Sequence, residues 1–265
     1  SIDAGAQIIV LDAAGRGAET RDAKGALTLS AYDSLGRSTH VWARDRMGEA
    51  MTLRERRVYG DDPASGLTSA VVGAGNLRGR LYRHYDEAGR LTIAYDFKGN
   101  QIDGLREVIA PAQIAAVFAA APSWRIPAYR VDWASSGGTS ASALAARAST
   151  LLAATGYVTT FAYDALDRVK TMQYPRDASG RRAVLRQAYN RVGAVERVEI
   201  DGQPYVERIA YDARDQRVLV AYGNGVMTRL AYDPTTARLA RLRTERYASP
   251  APLTYRPLGD TLRDL

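Results

Sequence analysis

The sequence of 265 residues lacks cysteine and contains only two histidines. The absence of cysteine excludes a disulfide scaffold and any thiolate metal site. Two histidines, His40 and His84, are too few for a His-rich zinc or iron centre. No segment approaches the roughly 18 consecutive apolar residues that cross a bilayer, and no basic-then-apolar leader opens the chain. The remaining composition, 46% hydrophobic and 25% charged, is that of an ordinary globular protein.

Phenylalanine is also scarce, since the chain has three phenylalanines against 16 tyrosines. Many of these tyrosines belong to a repeat in which tyrosine is followed by aspartate, and alanine precedes five of the six pairs. The pairs are Tyr32-Asp33, Tyr85-Asp86, Tyr95-Asp96, Tyr163-Asp164, Tyr211-Asp212 and Tyr232-Asp233. Recurrence of a short unit is typical of repeat proteins, in which the repeated unit determines the architecture.

The repeated unit has the chemistry of a tight turn. Two copies continue as Tyr-Asp-x-x-Gly-Arg and a third as Tyr-Asp-x-x-Gly-Asn. In this unit aspartate accepts backbone hydrogen bonds and glycine adopts a positive φ without steric cost. The pattern predicts a type I turn closed by a glycine bulge. Asp167 and Asp215 stand at the glycine position of two copies, and aspartate tolerates the left-handed region better than most residues. The turn residues after the aspartates are Gly36, Arg37, Gly89, Arg90, Gly99 and Arg168.

The spacing of the repeat predicts short strands. Asp12, Asp22, Asp33 and Asp45 are spaced 10, 11 and 12 residues apart, and Asp86 and Asp96 are 10 apart, as expected for strands joined by tight turns. Gly223-Asn224-Gly225 between two alternating segments is a separate hairpin signal. We therefore predict an all-β fold, an antiparallel sheet of repeated hairpins. The tyrosines are expected to stack in ladders along one face of that sheet; the alternative is that they stack on sugars or nucleotides.

These residues resemble the YD repeat of the RHS (rearrangement hot spot) superfamily. The segment Asn76 to Asn100 looks most like the B component of bacterial Tc (toxin complex) toxins, and Tyr163 to Arg168 and Tyr222 to Thr244 share this likeness. In that family the repeats form a long strip that spirals into a hollow shell around a toxic C-terminal polypeptide. Such shells are far longer than 265 residues, and the self-cleaving core segment of the family has no recognisable counterpart here.

The resemblance implies a structural piece of a shell wall rather than an enzyme, secreted as part of a toxin. It also implies three partners: the remaining shell segments, the enclosed toxin polypeptide and other toxin-complex subunits. We predict no catalytic residue, cofactor or metal. The alternative function is a secreted or surface module that binds glycans or a receptor.

The repeat is interrupted by an alanine-rich segment. We predict three regions: a YD-repeat strip over residues 1–100, an insertion over 101–156, and a continued strip over 157–265 of a larger chain. Pro111 to Ala121 and Ser140 to Thr155 have the composition of helices, with serine caps for the second and Gly156 as its stop. The loop from Ser135 to Ser140 separates them, with Trp124 and Trp133 nearby. This insertion either plugs a shell opening or contacts a partner, or it is a decoration anchored by its tryptophans.

Three other features of the sequence could indicate a ligand site or catalysis, but each has a simpler explanation. Gly73 to Gly79 resembles a dinucleotide loop, but its spacing is one residue too long and a turn fits better. His84 lies two residues from Asp86, yet no nucleophile sits in a recognisable elbow. The net charge of +7 comes from arginines spread over every repeat, whereas nucleic-acid binding needs a clustered basic face and a recognition fold.

Overall fold

The computed structural model describes residues 5–119, 128–134 and 138–265. Within these ranges the chain forms 17 β-strands, three α-helices and one short 3₁₀ helix. The chain divides into two compact units, residues 1–158 and 159–265. In each unit the strands pair with their neighbours in sequence and run antiparallel. The predicted all-β class is therefore confirmed.

The first unit is a meander of eight strands in which each of the first seven pairs with the next. Two helical segments interrupt it, one between the fifth and sixth strands and one after the eighth. The strands are β1 (Gln7–Leu11), β2 (Gly17–Asp22), β3 (Leu27–Tyr32), β4 (Ser38–Arg44), β5 (Thr52–Tyr59), β6 (Leu81–Asp86), β7 (Gly89–Tyr95) and β8 (Gln101–Ile109). The helices are a 3₁₀ turn at Pro63–Ser65, α1 (Ser69–Ala74), α2 (Pro111–Ala119) and α3 (Ala141–Leu151).

The second unit repeats the meander without helices in its described residues. Its first strand is the end of β9 (Leu152–Tyr163), which begins in the first unit. Each strand again pairs with the next along the chain. The others are β10 (Val169–Arg176), β11 (Arg182–Tyr189), β12 (Val195–Ile200), β13 (Gln203–Tyr211), β14 (Arg217–Tyr222), β15 (Val226–Tyr232), β16 (Leu239–Ala248) and β17 (Arg256–Asp264).

The hairpin predicted at Gly223-Asn224-Gly225 is confirmed between β14 and β15. Gly225 has a φ of 78°, which glycine adopts at no cost. Gly223 is required for a different reason. A Cβ there would lie 1.7 Å from the carbonyl oxygen of Pro204 on the neighbouring strand.

The core of the first unit lies between the sheet and the alanine-rich segment. Trp133 is fully buried, and its indole N–H donates to the carbonyl of Asp86 at 3.0 Å. Its ring meets that of Tyr85 edge-on, with centroids 5.0 Å apart. The remaining members come from β5 and β8, from the segment before Trp133 and from α3: Leu53, Val58, Ile109, Val131, Leu144, Ala148 and Leu151.

The alanine-rich insertion predicted over residues 101–156 has different ends in the structure. Residues 101–109 form β8, so the sheet extends further than the predicted boundary at residue 100. Ser140 caps α3, accepting a hydrogen bond from the amide of Ala143 at 3.2 Å, as predicted. The predicted stop at Gly156 is wrong, because α3 ends at Leu151 and Gly156 lies within β9. Strand formation in β9 overrides the helix propensity of the alanines between them. Trp124 and residues 120–121 and 135–137 lie outside the described residues.

Candidate functional site

A tyrosine ends each odd-numbered strand from β3 to β15. Because neighbouring strands alternate in direction, the odd strands of each unit all end at the same edge of its sheet. We call this edge the tyrosine edge of each unit. In the first unit it carries Tyr32, Tyr59 and Tyr95, and in the second it carries Tyr163, Tyr189, Tyr211 and Tyr232.

The turn that follows Tyr32 shows how the repeat builds this edge. One carboxylate oxygen of Asp33 accepts from the amides of Leu35 and Arg37, at 3.0 and 2.9 Å. The amide of Gly36 donates to the Asp33 carbonyl at 2.9 Å, and Gly36 has a φ of 78°. The same pair of side-chain to backbone bonds forms at Asp12, Asp164 and Asp212.

The aspartates predicted to replace glycine adopt the expected backbone. Asp167 has a φ of 60° and Asp215 a φ of 58°. Both stand where Gly36 stands in its own turn. The prediction from residue type is confirmed, since aspartate is among the few side chains that tolerate this region.

The arginine after the turn folds back onto the turn aspartate. The Nε of Arg37 donates to Asp33 at 2.6 Å, and those of Arg16 and Arg168 donate to Asp12 and Asp164 at 2.7 Å. Hydrogen bonds from the amide and the side chain of Arg16 hold the pKa of Asp12 below its ordinary value. For Asp164 the side-chain bond from Arg168 is the largest of the effects that lower its pKa.

Each of these three guanidinium groups covers the ring of the tyrosine that ends the next odd-numbered strand, and the guanidinium of Arg80, which precedes β6, covers the Tyr95 ring in the same way. We call this contact the Arg–Tyr clasp, and it joins one turn to the following hairpin. A cation over an aromatic face within about 6 Å of the ring centre is attracted to it. The distances from guanidinium carbon to ring centre are 4.4 Å for Arg16–Tyr32, 4.1 Å for Arg37–Tyr59, 5.4 Å for Arg80–Tyr95 and 4.3 Å for Arg168–Tyr189.

The tyrosine hydroxyls reinforce the same connection. Each donates to the backbone carbonyl of the first residue of the preceding even-numbered strand. The pairs are Tyr32 with Gly17 at 2.9 Å, Tyr59 with Ser38 at 3.2 Å, Tyr95 with Leu81 at 2.8 Å, Tyr189 with Val169 at 2.7 Å, Tyr211 with Val195 at 2.8 Å and Tyr232 with Arg217 at 3.1 Å. The predicted tyrosine ladder is therefore wrong for Tyr32, Tyr59, Tyr95 and Tyr189, because their rings contact arginines and their hydroxyls bond to backbone carbonyls.

Tyr85-Asp86 lies at the opposite edge of the first unit, because it ends an even-numbered strand. Tyr85 is buried in the core, and Asp86 accepts from the amides of Ala88 and Gly89. Both carboxylate oxygens of Asp86 bind Arg106, at 2.8 and 2.9 Å. The arginine after this turn, Arg90, binds Glu107 at 2.7 and 2.8 Å. Tyr85-Asp86 therefore has the sequence of the repeat but a different set of contacts.

The remaining predicted turn residues depart from the consensus only after the aspartate. Asp96 accepts from the amides of Gly99 and Asn100, both at 2.8 Å. Asp233 accepts from the amides of Thr235 and Thr236, at 3.0 and 2.6 Å. In each case the carboxylate caps the turn.

Sequence reasoning missed two members of the tyrosine edge, Tyr59 and Tyr189. The signal for Tyr189 was the variant Tyr189-Asn190-x-x-Gly193, because an asparagine oxygen accepts the same bonds as aspartate. Asn190 accepts from the amides of Val192 and Ala194, at 3.1 and 2.9 Å. Tyr59 precedes the longer connection that contains α1, so no turn consensus follows it.

The segment compared with a dinucleotide loop is helical in part. Gly73 lies inside the six-residue helix α1, and Gly75 is the residue that ends it. The prediction of a turn from Gly73 to Gly79 is therefore wrong at its start, where the chain is still helical. Thr68 caps the helix by accepting from the amide of Val71 at 3.4 Å.

His84 is engaged by two carboxylates. Its Nε2 lies 3.2 Å from Glu55, and its Nδ1 lies 3.7 Å from Asp86, which is itself held by Arg106. Among the described residues no group of three or more His, Cys, Asp and Glu side chains is arranged to hold a metal ion. None of the described helices is long and apolar enough to cross a bilayer.

The turns, the clasps and the strand order together define a class of protein. Each unit is an antiparallel sheet of YD hairpins, in which one hairpin is joined to the next along the tyrosine edge. This arrangement resembles the RHS type of repeat fold.

Comparison with known proteins shows that the chain is similar to bacterial toxin subunits. The chain is 27% identical over 277 residues to toxin subunit YenC1 of Yersinia entomophaga, covering 99% of this chain and 25% of YenC1. It matches the Tc holotoxin pore of Photorhabdus luminescens with a TM-score of 0.67 and 24% identity, over 100% of this chain and 11% of that one. It matches TcdB2-TccC3 without its hypervariable C-terminal region with a TM-score of 0.64 and 22% identity, over 98% of this chain and 11% of that one. No family model matches the sequence.

These similarities confirm the resemblance to YD-repeat components of Tc toxins. They do not single out the B component, since the sequence relative is a subunit named YenC1. The chain spans a quarter of that relative and about a ninth of the solved chains. The match to a structure lacking the hypervariable C-terminal region places the likeness outside that region.

Proposed function

We propose that this chain is a structural segment of a hollow YD/RHS-repeat shell that encloses a toxic polypeptide of a bacterial toxin complex. The observation that supports this most strongly is the fold similarity, which extends over 98 to 100% of the chain. Its partners are then the remaining shell segments, the enclosed polypeptide and other toxin-complex subunits. The protein acts outside the bacterium that makes it, and it has no catalytic role of its own.

The Arg–Tyr clasp supports a structural role for the repeat residues. In repeat proteins stability comes largely from contacts between neighbouring units. The clasp supplies such a contact at four tyrosines of these edges, Tyr32, Tyr59, Tyr95 and Tyr189. The ring of Tyr59 is covered by Arg37, and its hydroxyl is bonded to Ser38. Rings engaged in this way are poor surfaces for stacking on a sugar, which disfavours the glycan-binding alternative.

Limited proteolysis of the full-length gene product tests the proposal. A polypeptide enclosed by a wall resists protease until the wall is opened. We expect the C-terminal part of the full-length protein to survive protease levels that digest the same part expressed alone. Digestion of both at equal rates would contradict enclosure. A double variant, Arg37→Ala with Tyr59→Phe, weakens the wall and is expected to speed digestion of the C-terminal part.

A further inference from the structure

Three arginines of the second unit line one cavity on the sheet. The cavity has a volume of about 340 Å³, and none of the described residues that line it is acidic. Its lining residues are Val218, Arg229, Leu230, Ala231, Arg241 and Arg243. A cavity lined by charges of one sign concentrates the field and draws the opposite charge into it. These residues therefore favour an anion as the occupant.

The strand register brings the three guanidinium groups together. Arg229 of β15 lies directly opposite Arg243 of β16, and Arg241 stands two residues before Arg243. Residues two apart on a strand leave the same face of the sheet. Like charges that face each other across neighbouring strands destabilise the sheet. The pair therefore needs negative charge beside it.

Two carboxylates supply part of that negative charge. Glu245 is buried and binds both Arg229 and Arg243, the latter at 3.4 Å. Asp264 accepts from Arg241 at 2.9 and 2.6 Å. Three guanidinium groups thus meet two carboxylates, which leaves one positive charge. The Nε of Arg243 is also buried and has no hydrogen-bond acceptor within the described part of the chain.

A second cavity of the same unit provides a comparison. It has a volume of about 250 Å³, and its basic residues are Lys170, Arg186 and Arg197. Glu199 lines this cavity as well and binds Arg197 at 2.8 Å. The protein's own carboxylate therefore stands where an external anion would bind, and the first cavity has no such carboxylate in its lining.

The donors of the first cavity suit a phosphate group. A guanidinium presents paired N–H donors that match two oxygens of a phosphate. Arg229 approaches the cavity from one strand and Arg241 and Arg243 from the next, so the donors suit a tetrahedral anion better than a planar carboxylate. A phosphate ester also carries about −1.5 to −2 charges at pH 7, which three cations can share.

We propose that the cavity lined by Arg229, Arg241 and Arg243 binds a phosphate group, either as inorganic phosphate or as the phosphate of a small ester. The bound group accepts hydrogen bonds from both strands and links β15 to β16. This inference goes beyond the proposed function and does not rest on it, because the site is formed within the second unit alone.

Protection of arginines from phenylglyoxal tests the inference on the full-length gene product. Peptide mass spectrometry measures the rate of modification at Arg241, which is 57% exposed, and at Arg197, which is 51% exposed and serves as the matched control. Inorganic phosphate at about four times its Kd should slow modification of Arg241 about fivefold. The rate at Arg197 should not change, and sodium chloride at the same ionic strength should protect neither residue.

Equal protection of Arg241 and Arg197 would overturn the inference, because general screening would then explain both. Protection by acetate as strong as that by phosphate would overturn the assignment to a phosphate group. If Arg241 does not react even without phosphate, the cavity is closed to solutes and the inference is wrong. Glycerol 3-phosphate distinguishes the two sources: stronger protection than by phosphate supports an ester as the ligand, and weaker protection supports the free ion.

Two variants change the site in opposite directions, and protection of Arg229 measures both. Arg241→Gln removes one donor and should raise the phosphate concentration for half-protection about tenfold. Asp264→Asn removes the carboxylate that competes for Arg241 and should lower that concentration about threefold. Arg197→Gln is the control and should leave it unchanged. Half-protection that stays the same in Arg241→Gln and Asp264→Asn would contradict the site.

Discussion

The guanidinium carbon of Arg168 lies 4.3 Å from the centre of the Tyr189 ring. Arg168 is fixed there by Asp164, and the Tyr189 hydroxyl donates to Val169, the residue directly after that arginine. One tyrosine therefore contacts both the side chain and the backbone that leave the preceding turn. The same double contact forms at Tyr32, Tyr59 and Tyr95, and it favours tyrosine over phenylalanine at these positions because phenylalanine lacks the hydroxyl.

The clasp is expected to contribute measurable coupling. Tyr189→Phe keeps the ring under Arg168 and removes the hydroxyl bond, which should cost about 0.5–1.5 kcal/mol. In a double-mutant cycle of Arg168→Ala with Tyr189→Ala, the coupling energy should be about 0.5–1 kcal/mol. Urea unfolding measures both quantities. Additive losses would show that the stacked geometry contributes nothing, and Tyr205→Phe, at a tyrosine 62% exposed, serves as the control that should stay within about 0.5 kcal/mol.

Two glycines of one hairpin should respond very differently to alanine. At Gly225 an added Cβ meets nothing within 4 Å, so Gly225→Ala pays only the strain of a positive φ, about 1–2 kcal/mol. At Gly223 the same Cβ would overlap the Pro204 carbonyl, which belongs to the backbone of β13 and cannot move alone. We expect Gly223→Ala to lower the unfolding midpoint far more than Gly225→Ala.

Similar losses for the two variants would contradict this account. The backbone φ alone would then determine the loss of stability, and the closeness of the Pro204 carbonyl to Gly223 would contribute nothing. Each variant should first be shown to fold by its far-ultraviolet circular dichroism, since a failure of Gly223→Ala to fold is the extreme form of the expected result.

The sequence predicted the turns better than the contacts between them. Asp33, Gly36 and Asp167 act within four residues, and local backbone chemistry decides their conformation. The pairing of Arg168 with Tyr189 spans 21 residues and depends on strand order, so residue type alone could not show it. The ladder prediction failed for this reason. The prediction of a helix stop at Gly156 failed for another reason, because β9 begins at Leu152 and ends the helix before that glycine.

Trp133 is expected to be the most sensitive core position of the first unit. It is fully buried, contacts Tyr85 edge-on and donates to the Asp86 carbonyl. Trp133→Ala should cost about 3–5 kcal/mol through the cavity it leaves. Trp133→Phe should cost less, because the ring remains and the indole hydrogen bond, about 1 kcal/mol, is lost. Thermal unfolding compares the two variants, and equal Tm values would show that the aromatic contact does not matter.

His40 should make the first unit less stable in mild acid. Its ring stacks on Trp42 with centroids 4.9 Å apart, and its nitrogens lie 3.0 Å from the Thr39 hydroxyl and 3.2 Å from the Thr139 hydroxyl. Burial, with Arg56 nearby, lowers the pKa of His40 to about 4, while Asp62 opposes the shift. The unfolded chain binds this proton near pH 6.5. Stability from this group is therefore complete above about pH 6.5 and declines as the pH falls toward 4.

His40→Gln removes this titration and keeps a side chain able to bond both threonines. Between pH 7.5 and 4.5 the free energy of unfolding should fall by about 2 kcal/mol less in the variant than in the wild type. Urea unfolding at each pH measures it. Comparing the two proteins cancels the effect of carboxylates that titrate in the same range. An NMR titration gives a second reading, in which the His40 ring protons keep their neutral shifts down to about pH 5. A midpoint near 6.5 would show that the ring is solvated and that the contact with Thr139 does not exclude its charged form.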